Sequence, residues 1–88
     1  MNANNLPYLE ELSLHLFELL RPTFTESEIS FIQEFVSAGE YGLALETIVA
    51  IVVEGDKKIS DEALGLIFKL VDAMKFDKDK YENKLGKH

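Results

Sequence analysis

Cysteine is absent from the 88 residues. That excludes a disulfide framework, a thiolate metal site and a cysteine nucleophile, and gives no sign of an oxidising compartment. Cations are scarce over most of the chain. Residues 1–56 carry 10 Asp/Glu and a single Arg, Arg21, a balance of −9, whereas residues 57–88 carry 8 Lys and 6 Asp/Glu, a balance of +2. Such a surface repels a phosphate backbone, so direct nucleic-acid binding is not expected. It attracts a basic protein and speeds encounter with it. The plainer reading of the same net charge, −7 with a pI near 4.7, is solubility alone. Long apolar runs are lacking too. The longest, around Ile48–Val53, falls far short of the roughly 18 residues a membrane span needs. The opening MNANNLPYLEELSLHLFELL has neither the basic start nor the small-residue cleavage site of a signal peptide. A soluble, cytoplasmic protein that does not engage membranes is expected.

Catalytic signatures are equally sparse. The sequence shows no glycine-rich phosphate loop, no nucleophile motif and no basic patch with interleaved aromatics. Its histidines are His15 and the terminal His88. Glu11, His15 and Glu18 share a helical face, so a metal trio can be drawn. The same spacing describes an exposed imidazole between two carboxylates that hold it protonated, and that is the reading adopted. Glu46 alone has largely apolar sequence neighbours. If buried, it would require Tyr41, Tyr8 or a lysine as a partner. Lys57, Lys58, Lys78, Lys80 and Lys84 are interspersed with acids and read as solvated surface. The expectation is a non-enzyme without cofactor or metal.

Helical periodicity fills the chain, and no segment shows strand alternation between turn residues. The first helix is predicted from about Pro7 to Leu20, with Leu9, Leu12, Leu16, Leu19 and Leu20 inward and Arg21-Pro22 ending it. Thr25 and Glu28 form a capping box for the second helix, flanked by Phe24 and Ile29 at the staple positions. Its inward face is Ile29, Ile32, Phe35 and Val36, and Gly39 stops it. The third helix is predicted from about Glu40 to Glu54, ended by Gly55. Between Leu43 and Val53 only Glu46 is charged and only Thr47 is otherwise polar, so this helix should stand in the middle, wrapped by the others. Gly42 near its start is read as close packing, partner approach or a tolerated residue. Ser60 caps a fourth helix that runs to about Met74 or Lys75, with Leu64, Ile67, Phe68, Val71 and Met74 buried. A short fifth, about Lys78–Leu85, stops at Gly86. The fold class is all-α: residues 1–88 as a single domain, a compact bundle of four helices plus a short C-terminal one.

Recognition remains as the function. Tyr41 is a good anchor type, and Glu26, Glu34, Glu40 and Glu46 lie around it in sequence. The alternative is that Tyr41 plugs the hairpin and the acids are ordinary helix surface.

The run Ile32-Gln33-Glu34-Phe35-Val36-Ser37-Ala38-Gly39-Glu40-Tyr41-Gly42-Leu43-Ala44-Leu45-Glu46-Thr47-Ile48, followed by Ile59-Ser60-Asp61-Glu62-Ala63 and a further helix, resembles the small helical immunity proteins of Maf polymorphic-toxin systems. These are similar to immunity proteins of contact-dependent growth inhibition loci. The resemblance covers roughly Phe24 to Met74. It implies a bacterial antitoxin that binds a cognate toxin domain 1:1, expected to be a nuclease such as an RNase, and is a monomer when free. A nuclease cleft is basic, and carboxylates can stand in it where phosphates would lie. On this reading Glu26, Glu34, Glu40, Tyr41 and Glu46 form the contact set, with Glu11 and Glu18 as a second acidic face. The alternative is a small helical adaptor, homodimeric through an apolar strip such as Phe31 and Phe24.

Overall fold

The computed structural model describes residues 5–86, with side chains from residue 7. His88 lies outside the described residues. The chain forms α1 (Asn5–Leu20), α2 (Glu26–Ser37), α3 (Tyr41–Glu54), α4 (Asp61–Ala73) and α5 (Lys78–Leu85), and no strand occurs among the described residues. α1 packs mainly on α4 and α2 on α3, while the short α5 closes against α3 and α4. The architecture is thus four helices plus a short fifth, as the periodicity predicts. All five contribute to one buried apolar cluster.

The entrances are written in side chains. Thr25 Oγ1 accepts from Glu28 N at 3.1 Å, and the Glu28 carboxylate accepts from Thr25 N at 2.9 Å, so the capping box is complete. Phe24 and Ile29 are both buried beside it, which is the staple. Phe24 is therefore not part of an exposed strip. Ser60 Oγ accepts from Ala63 N at 3.0 Å, and Asp77 Oδ1 accepts from Asp79 N at 3.1 Å and from Lys80 N at 3.4 Å. Glu40 caps α3 by position only: its side chain makes no cap bond.

The exits are written in backbone. α2 leaves through Gly39 at φ +76°, with Glu40 N donating to Phe35 O (2.8 Å) and Gly39 N to Val36 O (3.0 Å). This is the paired closure of a Schellman motif. α3 and α4 end in the same way, Lys57 N reaching Val52 O and Phe76 N reaching Val71 O. The left-handed residue in these two turns is not glycine. Asp56 (φ 50°) and Lys75 (φ 59°) hold it, and Gly55, expected as the stop of α3, sits one residue earlier in ordinary helical geometry. An L side chain in the left-handed region costs about 1–2 kcal/mol, and glycine is free of that penalty. Lys75→Gly should therefore raise stability by about 1 kcal/mol in urea melts. A loss instead would mean that the lysine side chain contributes more than its backbone strain removes.

Three inward rows differ from the periodicity. In α4 the buried residues are Ala63, Leu66, Ile67, Leu70 and Val71, while Leu64, Phe68 and Met74 are only half-buried. In α1 the buried residues are Leu9, Leu12, Ser13, Leu16, Phe17 and Leu20, while Leu19 is half-buried and Leu14 is 51% exposed. The row is rotated toward Phe17. In α3 the core takes Ala44, Leu45, Ile48, Val49 and Val52, but Leu43, Glu46, Ala50, Val53 and Glu54 face outward. The most apolar helix is flanked by α2 and α5 and left uncovered on its outer side. It is not wrapped. Gly42 is explained by packing: a Cβ there would stand 3.0 Å from Phe76 Cζ. The ring of Phe76 in turn stacks on Tyr81 at 6.2 Å.

Candidate protein-binding surface

From residue 26 to residue 54 the sequence holds six glutamates and no Lys, Arg or His. This is the whole of α2, the turn and α3. α1 adds Glu10, Glu11 and Glu18 with only His15 to set against them. The structure keeps these charges at the surface, because the buried rows are filled by apolar side chains. Glu10, Glu11, Glu26, Glu34, Glu40, Glu46 and Glu54 are all exposed, and among the described residues none of them meets a cation within 4.0 Å.

The remaining acids of this part behave differently. Glu18 pairs with Arg21 at 3.2 Å on the same side of α1. Glu28 accepts from Thr25 N and lies 3.3 Å from Lys57 Nζ. The bond from the Thr25 amide, and then the lysine, hold its carboxyl below the usual glutamate range. Lys57 is not a solvated residue. Its ammonium donates to Thr23 O at 2.9 Å and lies 5.4 Å from the centre of the Phe24 ring. One side chain thus ties the exit of α3 to the turn between α1 and α2. His15 likewise looks across helices. Its Nε2 lies 3.5 Å from Glu62 of α4, so its carboxylate partner comes from α4 and not from Glu11 or Glu18. No group of three His, Cys, Asp or Glu side chains among the described residues is placed to hold a metal ion.

The sequence-predicted contact residues do not lie on one patch. Glu40 stands free at the α2–α3 turn. Tyr41, next to it, is half-buried against the core and lines a crevice with Glu10, Leu14, Gln33 and Ser37. Glu46 is exposed and looks the other way, into a crevice with Phe76, Asp77, Lys80 and Tyr81. There its charge, after burial, helps push the Tyr81 phenol above its ordinary value. Glu26 and Glu34 are two turns apart on the outer side of α2. Glu11 lines the groove between α1 and α4 with Tyr8, His15, Glu62 and Lys69, and Glu18 is engaged by Arg21. Glu34, Glu40 and Glu46 belong to the α2–α3 layer; Glu11 and Glu18 belong to a different side.

Sequence reasoning missed three residues of this surface, Glu10, Leu43 and Glu54, and named Phe31 only for a homodimer strip. Glu10 and Glu54 are exposed acids of the same kind as those named. Phe31 is 52% exposed and Leu43 46% exposed. The available signal was the cation-free run from 26 to 54, which marks the layer more sharply than a motif around Tyr41 does. Among the described residues no helix is long and apolar enough to cross a membrane. Comparison of the chain with family models, curated proteins and solved structures found no match.

Proposed function

We propose that this chain is an immunity protein of the Maf type, a cytoplasmic antitoxin that binds and neutralises the C-terminal toxin domain of a polymorphic-toxin or contact-dependent inhibition system. The observation that carries the reading is the set of exposed carboxylates on α1, α2 and α3, most of them without an ion pair among the described residues. A surface of this sign suits a basic partner, and a nuclease is basic where it holds its substrate. The carboxylates would stand in that cleft as phosphate mimics, desolvated only when they meet lysine or arginine. The resemblance of the segment around Gly39-Glu40-Tyr41-Gly42 to such proteins points the same way. No catalytic group or cofactor is needed for this function.

Titration of the purified chain against a toxin domain encoded beside it tests the proposal. Stoichiometric loss of toxin activity is the expected result, and full activity in the presence of excess chain would sink it. Glu40 and Glu46 are exposed and bear no ion pair among the described residues, so reversing them leaves the fold intact. The double variant Glu40→Lys, Glu46→Lys should bind the toxin about tenfold or more weakly, mostly through slower association at low salt. Helical circular dichroism should be unchanged.

A second reading, a small homodimeric adaptor, is favoured by one observation: Phe31 and Leu43 are large apolar side chains left in water. Sedimentation of the free chain separates the two, a monomer supporting the antitoxin and a stable dimer the adaptor.

A further inference from the structure

The outward side of α3 is where an apolar surface and an acidic one coincide. Its exposed residues are Leu43, Glu46, Ala50, Val53 and Glu54. Leu43, Ala50 and Glu54 are spaced i, i+7, i+11, and Glu46 and Val53 are spaced i, i+7, so they form a stripe along a helix of 14 residues, about 21 Å long. Phe31 is the large exposed apolar residue of α2, the helix packed against α3. Glu28, Phe31 and Phe35 stand at i, i+3 and i+7 on one side of α2. At one end of that row Glu28 reaches Lys57, just past the exit of α3. At the other, the Phe35 carbonyl receives Glu40 N at the entrance of α3. The Glu28–Lys57 pair sets one end of the row beside the exit of α3, and the Phe31 ring, one turn on, is propped edge-on against Phe35 at 5.2 Å.

Charge decides what can cover this surface. α2 and α3 contain no cation, so a second copy packed on the same face by a two-fold axis would bring two all-acidic layers together. Like charges facing one another across an interface cost several kcal/mol. A partner with lysine or arginine around an apolar centre meets no such cost. It gains the burial of Leu43, Val53 and Phe31 at the centre and ion pairs at the edge, which is the usual anatomy of a specific interface.

We propose that the α2–α3 face receives a basic protein surface, with Phe31, Leu43 and Val53 as the apolar anchors and Glu34, Glu46 and Glu54 as the charged rim. The inference rests on the antitoxin reading for the nature of the partner, but its location follows from the face itself. It shifts the anchor from Tyr41, which is half-buried in the crevice against α1, to residues that stand free.

The probe is a synthetic helical peptide with leucine on one face and lysine on the other, titrated into the isotope-labelled chain and followed by amide chemical shifts. Polylysine serves as the charge-only control. The expected result is that the amphipathic peptide moves amides of α2 and α3, centred on Phe31, Leu43 and Ala50. Phe31→Ser and Leu43→Ser should each weaken it about tenfold or more, with unchanged helical circular dichroism, and should leave polylysine binding unaffected. Shifts centred on Glu10 and Glu11 of α1, or wild-type affinity in both serine variants, would overturn the proposal. So would a dimer of the free chain at low salt. Toxin inhibition is not part of this readout. An inactive antitoxin with a peptide mapped to α3 removes the reading above and keeps the surface; inhibition by a chain whose peptide maps to α1 does the reverse.

Discussion

Phe17→Ala should cost about 3–5 kcal/mol, the usual loss for truncating a fully buried aromatic ring. Phe17 is 1% exposed, at the point where the buried row of α1 turns toward the crevice beneath Tyr41. A chain of 88 residues has a total stability of roughly 4–13 kcal/mol, so the variant should lose about a quarter of it at the least. Its urea midpoint should fall sharply, and its near-ultraviolet signal with it. Leu14 supplies the control. It is on the same helix, is equally apolar, and is 51% exposed, so Leu14→Ala should change stability by no more than about 0.5 kcal/mol. The reverse order of the two would show that α1 is rotated about its axis relative to the arrangement described above.

Lys57→Ala should destabilise by about 2 kcal/mol, a large effect for a lysine. The side chain is 19% exposed and makes three contacts: with the Thr23 carbonyl and the Phe24 ring in the turn before α2, and with the Glu28 carboxylate in the first turn of α2. Lys57→Met keeps the stem and loses the charge, so its loss should fall between wild type and alanine. A pH series separates the contributions further. The Glu28 carboxyl is held below its free value, so its share of stability is complete above that value and is lost as pH falls through the lowered one. The Thr25 amide is the larger cause and Lys57 the smaller. In Lys57→Ala the acid-side loss should therefore shrink without vanishing. Its complete disappearance would reverse that order.

These two residues also show where the sequence is legible and where it is not. The capping box at Thr25 and Glu28 and the cap at Ser60 can be read directly, because each depends on residues three apart and on nothing distant. α2, α4 and α5 follow from such local signals, and α1 and α3 from helical periodicity between their proline and glycine ends. The rotation of α1 does not. In Leu12–Leu20 apolar residues occupy so many positions that a 3.6-residue period can select more than one face. Only the packing of α1 against the other helices decides between Leu19 and Phe17. Lys57 fails for a similar reason: its partners lie 34 positions away for Thr23, and composition reads any lysine among acids as surface. The exposure of α3 is the same lesson in reverse. High apolarity is an argument for burial, but an 88-residue bundle has too few helices to cover every side of its most apolar member. For the candidate surface, the sign of the charge was visible throughout. Which acids share a face was not, since Glu46 and Tyr41 are five residues apart yet open on opposite sides of α3.

The backbone-closed exits of α2, α3 and α4 have a consequence for how such a protein could be retargeted. Because those turns are held by main-chain bonds to Phe35, Val52 and Val71 carbonyls, the aim of each helix is set without help from the exposed side chains of α3. Leu43, Glu46, Ala50, Val53 and Glu54 can then be randomised as a library on a fixed scaffold. Specificity would drift among new partners by surface exchange alone, with the bundle itself inherited unchanged.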